Sequence, residues 1–90
     1  MFKTNLPVVF LRERDKFIAY SPVLDISTSG DTFEQAKKRF AELTGIFFEE
    51  INRKGTTQNV LENLGWQKVR KEWQSPVLIS QDREMVNISV

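Results

Sequence analysis

Apolar and polar positions along the chain change their period twice, dividing it into a β-patterned front, a helical middle and a mixed tail. Leu6 to Leu11 is a short apolar run that predicts a first strand, with Pro7 tolerable near its start. Arg12-Glu13-Arg14-Asp15 has the length of a hairpin connection, without the Asn-Gly pair that marks a tight turn. Lys16 to Ser21 then alternates, with Phe17, Ala19 and Ser21 on one face and Ile18 and Tyr20 on the other. After Pro22, the residues from Val23 to Ser29 predict a third strand with Leu24, Ile26 and Thr28 on one face. Connections this short leave no room for crossovers, so the three strands form an antiparallel meander.

Ser29-Gly30-Asp31-Thr32 ends the sheet and starts a helix. Asp31 is the best N-cap candidate, because its carboxylate can accept from free N–H groups of the first turn, and Glu34 completes a capping-box-like arrangement. Gly30 has no Gly-rich loop around it and no Lys after it in the phosphate-cradling pattern, so it reads as a turn residue. Phe33, Ala36, Phe40, Leu43, Phe47 and Ile51 then recur at spacings of three and four, which predicts a helix over 32–53. Lys37, Lys38, Glu42, Glu49 and Arg53 occupy its opposite side. Gly45, in the helix interior, costs about 1 kcal/mol relative to Ala. Two reasons compete for it: a close crossing with another element, or close approach by a partner. Phe48 widens the apolar face toward the C-terminal end, where a second core layer or an interface could cover it.

Gly55 ends the long helix, and Thr56 or Thr57 can cap a short one running to Leu64 with Val60, Leu61 and Leu64 inward. Gly65 fits the left-handed position just past its end. Trp66, Val69 and Trp73 are spaced by three and four, but so good a stop at Gly65 favours an extended segment from 66 to 73. Gln74-Ser75-Pro76 reads as a turn. Val77 to Ile79 and Met85 to Val90 are strand-like, with Val86, Ile88 and Val90 sharing a face. Such a terminal strand suits pairing at a sheet edge, within its own sheet, with another copy or with a partner. The fold class expected is α+β: a β-β-β meander, a long helix, then a short helix and further strands. It forms one domain over residues 1–90, with a core at 6–53 and an extension at 56–90.

Composition narrows the chemistry. Ninety residues support one core, and seven Phe, two Trp and one Tyr can fill it. The absence of Cys removes disulfides and thiolate catalysis, and the absence of His removes the usual neutral-pH general base and most zinc sites. An enzyme is the least expected class, and no cofactor or metal is anticipated. Asp25 and Asp31 flank a strand end but lack ligand spacing, and capping accounts for Asp31. The apolar run near Met1 is too short for a signal-peptide core or a membrane span, so a cytoplasmic location is the default. A net charge of +1 is low for a dedicated nucleic-acid module. Of the basic clusters, Lys37-Lys38-Arg39 shares its helix with Glu residues. Lys68, Arg70 and Lys71 lie between Trp66 and Trp73, where phosphate contact and base stacking could combine. A solvated face or an acidic protein partner suits the same residues.

Phe17-Ile18-Ala19-Tyr20-Ser21-Pro22, then Leu24, then Ser29-Gly30-Asp31-Thr32-Phe33-Glu34-Gln35-Ala36 resembles the HicB-like antitoxins of bacterial toxin–antitoxin pairs. Those proteins carry an aromatic-x-Ala-x-x-Pro element, a Leu two residues on, and a Gly-Asp-Thr-x-x-Glu/Gln-Ala helix start. The likeness covers residues 6 to 53, and Leu24-Asp25-Ile26-Ser27 stands where many of them have Leu-Pro-Gly-Cys/Val, so the branch is a divergent one. The resemblance implies a β-β-β-α-β core related to a partial double-stranded-RNA-binding fold, with dimers or tetramers. It also implies the task of covering a small mRNA-cleaving HicA-type toxin. The partner contacts are then expected at the solvent face of the long helix, at Lys38, Glu42 and Glu49, or at an exposed sheet edge. The structural set is Gly30, Asp31, Phe33, Glu34, Phe40 and Phe47. Family antitoxins often add a DNA-binding module, and Met85 to Val90 is similar to its ribbon strand without the helices that should follow. Only weak DNA binding is therefore expected. The rival classes are a nucleic-acid-binding regulator using Lys68, Arg70, Lys71, Trp66 and Trp73, and an orphan assembly domain.

Overall fold

A computed structural model describes residues 4–89 of the chain. The fold class is α+β, as the patterning predicts. Strands β1 (Val9–Glu13), β2 (Lys16–Ser21) and β3 (Ile26–Gly30) form an antiparallel sheet in that order. Helix α1 (Phe33–Arg53) packs across one face of it, followed by α2 (Thr57–Asn63) and a separate hairpin of β4 (Gln67–Val69) and β5 (Glu72–Gln74).

The first strand starts later than the apolar run suggests and continues into the charged residues. Arg14 takes a left-handed φ of 58°, so a two-residue turn at Arg14-Asp15 suffices and Glu13 pairs with Lys16. The third strand also starts later, at Ile26. Asp25 is left-handed (φ 55°) and its N–H donates to the Ser21 carbonyl at 2.8 Å, which folds Pro22 to Asp25 into a turn and buries Val23 and Leu24 there.

The helix start corrects the capping assignment by one residue. Thr32, not Asp31, is the N-cap, and its Oγ1 accepts from the Gln35 N–H at 3.0 Å. Gln35, not Glu34, supplies the returning side chain, its Oε1 accepting from the Asp31 N–H at 2.6 Å. Asp31 is drawn away because Lys16, at the head of β2, forms a salt bridge with its carboxylate. Gly30 is not a turn residue but the buried last position of β3. A Cβ there would meet the Ala36 backbone nitrogen at 2.6 Å, so its missing side chain sets the closeness of α1 to the sheet.

Two clusters make the core. Ala19, Ala36 and Phe40, with Val8 and Phe17 beside them, lie between the sheet and the first half of α1. Val23, Leu24, Ile51, Leu61 and Trp66 close the far end, with Phe47 and Phe48 against them. Ile26 touches both. Phe48 is thus covered by a second layer: its ring meets the Trp66 indole edge-on at 6.0 Å. Phe33, expected in the core stripe, sits at the rim, 40% exposed, with its ring against Phe10 at 4.7 Å.

Both helices end in the same way. Gly55 (φ 70°) and Gly65 (φ 90°) take left-handed conformations, and the next residue's N–H bonds back to the last inward side chain's carbonyl: Thr56 to Ile51, Trp66 to Leu61, each 2.9 Å. The second of these ends carries Trp66 directly into the core. The segment from 66 to 73 is extended, as expected, although the two-residue turn at Arg70-Lys71 folds it into a hairpin whose second strand also takes in Gln74. The strands expected at Val77–Ile79 and from Met85 onward are not formed: residues 75–89 have no regular secondary structure and no strand follows β5. A strand needs a ladder partner, and residues 75–89 pair with none of the sheet edges formed by the described residues. Val90 lies outside the described residues.

Candidate protein-binding face

The outward side of α1 is organised by the stripe that builds the core on its inward side. With Ala36, Phe40, Phe47 and Ile51 turned toward the sheet and the second cluster, Lys38, Glu42, Gly45 and Glu49 fall on one line along the opposite face. All four are exposed. Lys38, Glu42 and Glu49 take part in none of the salt bridges among the described residues. Glu50 differs: Lys54 and then Arg53 hold its carboxyl below the usual carboxylate range, and it is committed to the end of its own helix.

Ile46 was not singled out by patterning. It is 63% exposed, between Glu42 and Glu49 on the helix surface. Its signal was present in the sequence: it is an aliphatic residue out of phase with the inward stripe. Gly45 has nothing within 4 Å of where a Cβ would be. The close-crossing explanation for that glycine therefore fails within this chain, and its position is open surface.

Along one flank of this face runs an open groove of about 1240 Å³, between the segment Thr4–Leu6 and the β4–β5 hairpin. Gly45, Phe48 and Glu49 from α1 and Lys68, Lys71 and Trp73 from the hairpin line it. Lys68 pairs across the hairpin with Trp73 and places its ammonium 5.8 Å from the ring centre. Arg70 and Lys71, at φ 51° and 70°, form the tip. The hairpin thus gathers four of the five residues that sequence reasoning grouped for nucleic-acid contact. Trp66 is not among them: it is 2% exposed, and its Nε1 donates to the Val23 carbonyl at 2.8 Å. That indole is a core beam with a satisfied donor and offers no face to a base.

The two aspartates weighed for acid–base chemistry are occupied by different partners. Asp25 accepts from the Tyr20 hydroxyl at 3.1 Å, which raises the phenol's pKa. Asp31 is paired with Lys16, which lowers the Asp31 pKa and has its own raised in return. Among the described residues no group of three acidic side chains could hold a metal ion, and no helix is long and apolar enough to cross a membrane.

Comparison with known protein families, with curated proteins and with solved structures finds no match to this chain.

Proposed function

We propose that this chain is a non-catalytic binding module of the HicB-like antitoxin kind, which neutralises a small HicA-type mRNA-cleaving toxin by occluding it. The observation that carries the reading is Ile46 on the outward face of α1, an exposed aliphatic side chain flanked one turn away by Glu42 and Glu49, with Lys38 a further turn back along the face, beside a glycine that lets a partner backbone approach. An apolar centre with a charged rim is the anatomy of a small protein interface. The order of three antiparallel strands and a long helix agrees with the first four elements of the β-β-β-α-β core that the motif resemblance implies, while the strands after α1 form a separate hairpin instead of joining that sheet. A cytoplasmic site of action, where mRNA is cleaved, belongs to the same proposal.

The test is affinity capture from native cell extract, followed by assay of mRNA cleavage by whatever protein is retained. Recovery of a small, basic, His-containing protein supports the reading if wild-type chain suppresses its cleavage of mRNA and Ile46→Asp does not. Recovery of nothing but the chain itself, under conditions where its gene is expressed, overturns it.

A further inference from the structure

Two needs in this molecule are left unmet. The three-stranded sheet ends on one side at β1, whose outer edge has no strand beside it among the described residues. The segment after β5 carries strand-like sequence with no strand to join, and leaves its apolar side chains in solvent: Met85 is 97% exposed and Ile88 77%. The radius of gyration is 15.4 Å, against about 13 Å for a compact chain of ~100 residues.

We propose that residues 82–88 of one copy add as an antiparallel strand to the β1 edge of a second copy, reciprocally, to make a two-fold dimer. The charge pattern selects the occupant and the register. Asp82-Arg83-Glu84 runs antiparallel to Arg12-Glu13-Arg14 with charges opposed: Glu84 opposite Arg12 and Arg83 opposite Glu13 within the strand, and Asp82 beside Arg14, the first residue of the turn that follows it. Arg12, Glu13 and Arg14 are exposed and in no salt bridge among the described residues, so they are free to take these partners. Arg12 Nε donates to the Arg14 carbonyl at 3.3 Å, a local bond that it would exchange for the new partner.

The same register places the apolar residues. Met85 falls opposite Leu11, Val86 opposite Phe10 and Ile88 opposite Val8. Phe10 and Val8 lie on the helix side of the sheet, where they line a shallow cavity of about 330 Å³ with Leu6 and Phe40. Val86 and Ile88 would lie over that cavity, and Asn87 would face outward beside Val9. A slip of one residue destroys both features. Val86 would then stand opposite Leu11 on the bare face, Glu84 opposite Glu13 and Arg83 opposite Arg14, so like charges would be adjacent. The two-fold arrangement repeats each contact, as a closed dimer requires. This inference concerns the sheet edge rather than the outward face of α1, so it stands or falls apart from the toxin reading.

The experiment is sedimentation equilibrium on the full chain, with hydrogen exchange of the amides from 82 to 88. Wild type is expected to dimerise with those amides protected. Arg12→Glu sets like charge against Glu84 at both ends of the dimer and should weaken association by about tenfold. Adding Glu84→Arg to that variant should restore it. Circular dichroism of each variant separates weakened association from misfolding, since Arg12 and Glu84 are both exposed. A monomer with unprotected amides, a monomer with protected amides (the segment closing on its own sheet), or a dimer that survives deletion of residues 81–90 would each overturn the proposal.

Discussion

Replacing Gly45 by Ala separates what this chain needs for folding from what it needs for a partner. Gly45 lies well inside the 21-residue helix α1, and an added Cβ meets no atom within 4 Å. The substitution therefore changes no tertiary packing. What remains is the backbone term: glycine costs about 0.8–1 kcal/mol relative to alanine in a helix interior, because more freedom is lost on ordering it. The isolated chain should gain about 1 kcal/mol, which for a domain of this size is roughly 4–8 °C in Tm. Urea denaturation followed by circular dichroism measures it, with the midpoint raised and the m-value unchanged, since the surface exposed on unfolding is nearly the same. If the midpoint stays put or falls, the reading of Gly45 as open surface is wrong. The same variant should hold the captured partner less well, because the added methyl stands where a backbone is expected to approach. A residue that weakens the free fold and strengthens binding has its explanation outside the chain.

Other outcomes follow from contacts inside the fold. Trp66→Phe keeps the ring packing against Phe48 but leaves the buried Val23 carbonyl without the indole donor; equilibrium unfolding should show a loss of about 1–3 kcal/mol. Ser21 is fully buried and its Oγ has no hydrogen-bond partner, so Ser21→Ala should raise stability by about 1 kcal/mol; a loss would mean the hydroxyl is bonded after all. Gly30→Ala must push α1 off the sheet, given the 2.6 Å approach to the Ala36 nitrogen, and should destabilise by more than ~1 kcal/mol. The Lys16–Asp31 pair gives a pH signature: Lys16 lowers the Asp31 pKa from its ordinary 3.8, so the stabilisation is present above that value and lost as pH falls through the folded one. Lys16, raised from 10.5, loses its contribution only as pH rises above that range. Lys16→Met should therefore lie below wild type in urea midpoint near pH 7 and converge with it in acid; a gap constant down to pH ~2 would refute the pairing. Both groups are exposed, so the gap should also shrink in high salt.

How much of this could be read without a structure depends on the range over which each feature is decided. The three-and-four spacing from Phe33 to Ile51 determined α1 and its inward face, because helical periodicity and burial are set by neighbours one turn away. The alternation from Lys16 to Ser21 gave β2 to the residue, and Gly55 and Gly65 marked the two helix ends, where a left-handed residue is a local requirement. The outward line of Lys38, Glu42 and Glu49 followed from the same period. Partners distant in the chain decided the rest. Thr32 caps α1 because Lys16, 15 residues before Asp31, takes that carboxylate. Trp66 belongs to the core rather than to a stacking surface because its indole reaches Val23, 43 residues away. Gly30 is close-packed because a helix lies on it, and Gly45 is open because nothing does. The apolar residues from Val77 to Ile88 carry the pattern of strands and form none, because alternation can prepare a strand but only a neighbouring edge can complete its hydrogen bonds.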